Sequence, residues 1–121
     1  MGKMVPKVFR MEGIRMVFAL QLPDWLVGCF RIALLGEIYP DIVAIAVGYR
    51  ADGNVLIRSY LDRPPKEVDF HGLEVVATNL DALGGKQSII DRIDIQCVSL
   101  EGKAGAPDPL SGFVYYRKRV D

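Results

Sequence analysis

The chain has 121 residues and 13.4 kDa, 50% hydrophobic and 25% charged, the make-up of one folded domain rather than a disordered or fibrous segment. Fifteen Lys and Arg balance fifteen Asp and Glu, so no overall basic excess points to direct nucleic-acid binding. Cys29 and Cys97, the only cysteines, stand far apart inside apolar runs; that is neither a disulfide framework nor zinc spacing, and it suits free thiols in a reducing cytosol.

Residues 1–21 read as an extension to a single domain spanning 1–121. Val8, Phe9, Ile14, Met16, Val17, Phe18 and Leu20 follow no clean period, and a short strand and a helical lead-in both fit them. Lys3, Lys7, Arg10 and Arg15 precede the apolar stretch Met16–Leu20, which is shorter than a signal-peptide core. The next apolar run, Trp25–Leu35, is broken by Arg31 and too short to span a bilayer. Pro6 stands where a myristoylation start needs Ser or Thr. The expectation is a cytoplasmic protein with no membrane attachment.

Pro23 and Asp24 open a helix over about 24–38, with the acid at the positive dipole end. Trp25, Leu26, Cys29, Phe30, Ile32, Ala33 and Leu34 recur at helical spacing, and Pro40 sets the stop. Asp41–Arg50 and Asn54–Asp62 read as strands joined by a tight hairpin at Ala51-Asp52-Gly53-Asn54. In the second strand Val55, Ile57, Ser59 and Leu61 share one side, and Leu56, Arg58 and Tyr60 the other. Arg63-Pro64-Pro65 breaks that strand. A second helix follows over about 66–83, with Val68, Leu73, Val76, Ala77, Leu80 and Leu83 on its apolar face and Gly84-Gly85 as its stop. Ile89–Leu100 alternates with a period of two, Glu101–Ser111 is a Gly- and Pro-rich loop, and Gly112–Val120 is a last strand. The predicted fold class is α+β: an antiparallel sheet of about four strands with two helices, in the order α-β-β-α-β-β, sequential strands being neighbours.

Charge is uneven along this frame. Residues 36–100 carry ten acids against six bases, whereas residues 1–35 carry five bases against Glu12 and Asp24. An acidic middle suits a basic partner, although scatter on a solvated surface accounts for it as simply.

Catalytic constellations are missing. His71 is the only histidine and has no motif around it, so it reads as a surface or capping residue. Gly84-Gly85-Lys86-Gln87-Ser88 fails as a phosphate loop, because Leu80 replaces its first glycine and Gln87 the hydroxyl residue after lysine. Asp91 with Asp94, and Glu67 with Asp69, are ordinary surface spacings, and no cluster predicts a metal or cofactor. Tyr115-Tyr116-Arg117-Lys118-Arg119 mixes aromatic and basic side chains, but a strand divides them between two faces.

The stretches LLGEIYPDIVAIAVGY, ADGNVLIRSYLDRPP, KEVDFHGLEVVATNL and GFVYYRKR, within about residues 24–120, resemble the small immunity proteins of bacterial contact-dependent growth inhibition and polymorphic toxin systems. The resemblance implies a stoichiometric inhibitor without enzymatic activity or cofactor, whose partner is a cognate toxin domain, commonly a nuclease with a basic cleft. An acidic surface can compete with phosphates for such a cleft. On this reading the expected contact residues are Asp62, Glu67, Asp69 and Glu74 at the strand-to-helix junction, with Tyr60 as aromatic neighbour; Asp81, Asp91 and Asp94 form a second, weaker group. Capping and solubility are the competing roles of Glu67 and Asp69. Two other classes stay open: a small-molecule-binding or enzymatic domain with a deep pocket, and a homo-oligomer pairing through the final strand.

Overall fold

The computed structural model describes residues 7–11, 17–84 and 90–118. The predicted hairpin is present: β2 (Ile42–Tyr49) and β3 (Asn54–Leu61) pair antiparallel along their length. Gly53 takes a φ of 95°, and the Asp52 carboxylate accepts the Asn54 N–H at 3.1 Å. That is the positive-φ and Asx chemistry expected of this turn. The first helix, α1 (Asp24–Ala33), stops before the predicted 38, because a turn begins at Leu34 and Gly36 adopts a φ of 79°. The second, α2, runs Glu67–Gly84.

The sheet corrects the expected arrangement. It has five strands, ordered β1-β4-β3-β2-β5, where β1 is Val8–Arg10, β4 is Arg92–Ser99 and β5 is Gly112–Tyr116. It is mixed rather than antiparallel: β4 pairs parallel with both β3 and β1, while β2 pairs antiparallel with β3 and β5. The 18-residue α2 is the cause, because it crosses the sheet and returns the chain beside β3 in the same direction. β4 and β5 are therefore not hairpin partners, and the loop between them carries the chain to the far edge of β2. β5 ends before the predicted Val120, at Tyr116. Within the extension, Val8–Arg10 form the strand β1. Lys3, Pro6, Glu12, Ile14, Arg15, Met16, Gly85, Lys86, Gln87, Ser88, Ile89, Arg119 and Val120, invoked in the sequence reading, lie outside the described residues.

Both helices cover one face of the sheet. Leu26, Phe30 and Ala33 of α1, with Leu73, Val76, Ala77 and Leu80 of α2, pack on Ile45, Val47, Val55, Ile57, Leu61, Ile93 and Ile95. On the other face Ala44, Ala46 and Tyr60 pack with Val98, Leu110 and Phe113. The Tyr60 hydroxyl donates to the Asp108 carbonyl at 2.8 Å, tying the 101–111 loop down over them. No helix among the described residues is long and apolar enough to cross a membrane.

The buried stripe of α2 is Asp69, Leu73, Val76, Ala77, Leu80 and Gly84. Val68 and Leu83, predicted on the apolar face, point outward, Val68 being 61% exposed. The carboxylate of Asp69 takes the inward place. Gly72 lies mid-helix, and a Cβ added there meets no atom within 4 Å. Gly72→Ala is thus expected to stabilise the fold by about 0.5–1 kcal/mol, by reducing the freedom of the unfolded chain. Thermal denaturation should show an increase of a few degrees.

Candidate functional site

The strand-to-helix junction is built around Asp69, 1% exposed. It is the third residue of α2, and its carboxylate reaches back to accept the Lys66 N–H at 2.7 Å, closing the helix start as a capping box does. The Arg63 guanidinium grips the same carboxylate with two bonds, of 2.8 and 3.0 Å, and the Tyr39 hydroxyl donates to Oδ1. Arg63 also donates from Nε to Asp41 at 2.6 Å. Burial alone pushes the Asp69 carboxyl up; the Arg63, Tyr39 and Lys66 donors outweigh it and hold the group down at about 2. Burial raises the Tyr39 phenol, reinforced by the Asp69 carboxylate.

A second acidic row runs along α2 toward the β1 edge. Glu67, Glu74 and Asp81 are seven residues apart, close to two helical turns, so they share one face. Arg10 of β1 donates to both Glu67 (2.6 and 3.2 Å) and Glu74 (3.1 and 3.2 Å), and its guanidinium lies 4.6 Å from the centre of the Phe70 ring. Lys7 pairs with Asp81 at 2.8 Å and donates to the Ile90 carbonyl at 2.6 Å. The Arg10 bond draws the Glu67 carboxyl below its ordinary range. Asp62 leans the other way, onto Arg117 at 3.0 Å, just past β5.

The remaining expected residues are elsewhere. Tyr60 is buried on the opposite face of the sheet, its hydroxyl accepting from Arg58 at 3.0 Å. Asp94 is also buried on that face, paired with Arg92 at 3.0 Å; Arg92 in turn stacks on Phe9 at 3.9 Å. Asp91 is exposed beside β4. The fold therefore gathers Glu67, Glu74 and Asp81 on one surface and sets Asp69 beneath its N-terminal end. It does not bring Tyr60 or Asp94 to them.

Sequence reasoning missed the bases that organise these acids. Lys7 and Arg10 at β1, Arg63 after β3 and Arg117 after β5 come from three separate segments, and no local pattern announces them. The heptad spacing of Glu67, Glu74 and Asp81 was the readable signal for the row. The phase of Asp69, four before Leu73 and in register with Val76, Ala77 and Leu80, was the signal for its burial.

A small cavity opens beside the junction, under α2. Glu37, Tyr39, Ser59, Asp69 and Gly72 line it together with Ile42, Ile45, Leu73 and Val76. About 10 Å³ is open to the centre of a water-sized group, room for one such group. His71 does not line it; this exposed histidine sits 3.4 Å from Glu67. Cys29 and Cys97 are free and half-buried, and burial pushes the Cys97 thiol up to about 12, which makes it a poor nucleophile at neutral pH.

No curated protein matches the sequence. The family model described as MafI2 immunity protein matches residues 23–119, from the start of α1 past the end of β5, leaving β1 outside the match. A match over that share of the chain, on a two-helix α+β domain, places the protein in the MafI2 immunity protein family, whose function is immunity against a toxin.

Proposed function

We propose that the protein neutralises its cognate toxin stoichiometrically, without an enzymatic step, by laying the acidic side of α2 against a basic nuclease cleft. The observation that carries this reading is how the acids are held. Arg10 is shared by Glu67 and Glu74, and Arg63 by Asp41 and Asp69, so among the described residues each cluster has one more carboxylate than guanidinium. Lys66 offsets part of this at the helix start. The shared bases order the carboxylates before a partner arrives, which lowers the entropy lost on binding. A nuclease cleft is positive because it holds phosphates, so a fixed acidic row competes for it. Glu67 and Glu74 are the contact residues, Asp81 continues the row, and Asp69 supports it from beneath.

The test uses the purified cognate toxin domain. An equimolar amount of the immunity protein should abolish its nucleic-acid cleavage. Glu67→Lys with Glu74→Lys should slow association about tenfold or more at low salt, and raising the salt should slow the unmodified pair in the same way. An unchanged association rate in the double variant, with the fold intact by circular dichroism, would remove the acidic row from the interface. A toxin domain that leaves DNA and RNA uncut would remove the nuclease part of the proposal.

A further inference from the structure

The geometry points to the cavity beside Asp69 as a receptor for one lysine ammonium group presented by the toxin; this rests on the toxin-binding reading above. Ser59 carries the inference. Its side chain projects from the helix-covered face of β3, is 2% exposed, and its hydroxyl has no hydrogen-bond partner among the described residues. Buried hydroxyls are nearly always satisfied, so an orphan lining an open cavity implies an occupant.

The lining defines the chemistry of that occupant. Glu37 is half-buried; its backbone N–H donates to the Leu34 carbonyl, but its carboxylate forms no ion pair or hydrogen bond with another described residue. Tyr39 spends its one proton on Asp69 and keeps acceptor capacity on its oxygen. Both Asp69 oxygens are already engaged, by Tyr39, by Arg63 twice and by the Lys66 N–H, so this carboxylate contributes field rather than a further bond. Ser59, Tyr39 and Glu37 thus offer three acceptors around a space for one water-sized group, and an ammonium has three donors and about that size.

A guanidinium is too wide for the space, and two carboxylates repel an anion. Ile42, Ile45, Leu73 and Val76 make up the apolar remainder of the lining. Gly72, whose missing side chain costs helix stability, leaves the lip clear.

The experiment is a titration of the full chain with n-butylammonium chloride, followed by amide NMR at constant ionic strength. Saturable shifts confined to the Ser59, Gly72 and Leu73 amides are expected, with 1-butanol and n-butylguanidinium binding at least tenfold more weakly. Glu37→Gln should weaken n-butylammonium binding about tenfold, and Ser59→Val should abolish it. Equal response to butanol, or shifts that do not saturate, would mean that the cavity holds only water and would overturn the inference. Affinity for the toxin supplies the second arm. If Glu37→Gln binds toxin as tightly as the unmodified chain, the lysine receptor falls while the acidic-row reading stands; a tenfold or greater loss supports the receptor.

Discussion

Asp69→Ala is expected to cost about 3–5 kcal/mol of folding stability, the range for removing one partner of a buried ion pair. Alanine would leave the Tyr39 hydroxyl and the Lys66 N–H without their acceptor and leave Arg63 with Asp41 alone. Since domains of this size hold only about 5–15 kcal/mol in all, the variant should be close to unfolding at physiological temperature. Urea denaturation at neutral pH measures the loss, and a cost below about 1 kcal/mol would show that the junction is not organised by this carboxylate.

The same group makes stability depend on pH. Its folded value, about 2, lies below the ordinary 3.8. The folded state therefore favours the ionised form, and the contribution is complete above the unfolded pKa. It is lost as pH falls from about 4 through 2. About 1–2 kcal/mol is at stake, allowing for screening of the network where Arg63 and Asp41 reach solvent. Asp69→Asn should flatten that part of the pH profile.

Phe30→Ala should be comparably damaging, at about 3–5 kcal/mol. Phe30 is the largest fully buried side chain, 1% exposed, and it packs α1 onto the sheet and α2. α1 has ten residues, and Pro23 at its N-cap offers no side-chain hydrogen bond. A helix that short is not stable by itself in water, so its order comes from packing. The comparison that isolates this effect is Ile32→Ala on the same helix, where the side chain is 55% exposed and little burial is lost. Similar denaturant midpoints for the two variants would contradict the assignment of Phe30 to the core.

Local chemistry marked out every element but β1. Asp52-Gly53 between two β-branched runs dictates a hairpin, because few residues tolerate the backbone angles it needs. Pro23, Pro64 and Pro65 bound the first helix and the second strand through φ restriction and lost donors, whereas α1 ends at Ala33, ahead of the stop read at Pro40. The alternation in β3 divided Val55, Ile57, Ser59 and Leu61 from Leu56, Arg58 and Tyr60 as the two faces of the sheet do. The run of stretches from Leu34 to Arg119 was enough to suggest an immunity family.

Tertiary structure decided what those pieces do together. Whether β4 lies parallel to β3 depends on where α2 returns the chain, and a strand's own residues do not encode its neighbour's direction. β1 is three residues long, too short for periodicity to reveal; it is held by its parallel pairing to β4, with Lys7 and Arg10 anchored on α2. The acids Asp62, Glu67, Asp69 and Glu74 look equivalent in sequence. They part company in the fold because helix phase turns Asp69 inward beside Arg63 and Tyr39, while Glu67 and Glu74 stay at the surface under Arg10. Residues up to 64 positions apart meet in that arrangement, and such pairings follow from topology, to which no local pattern is sensitive.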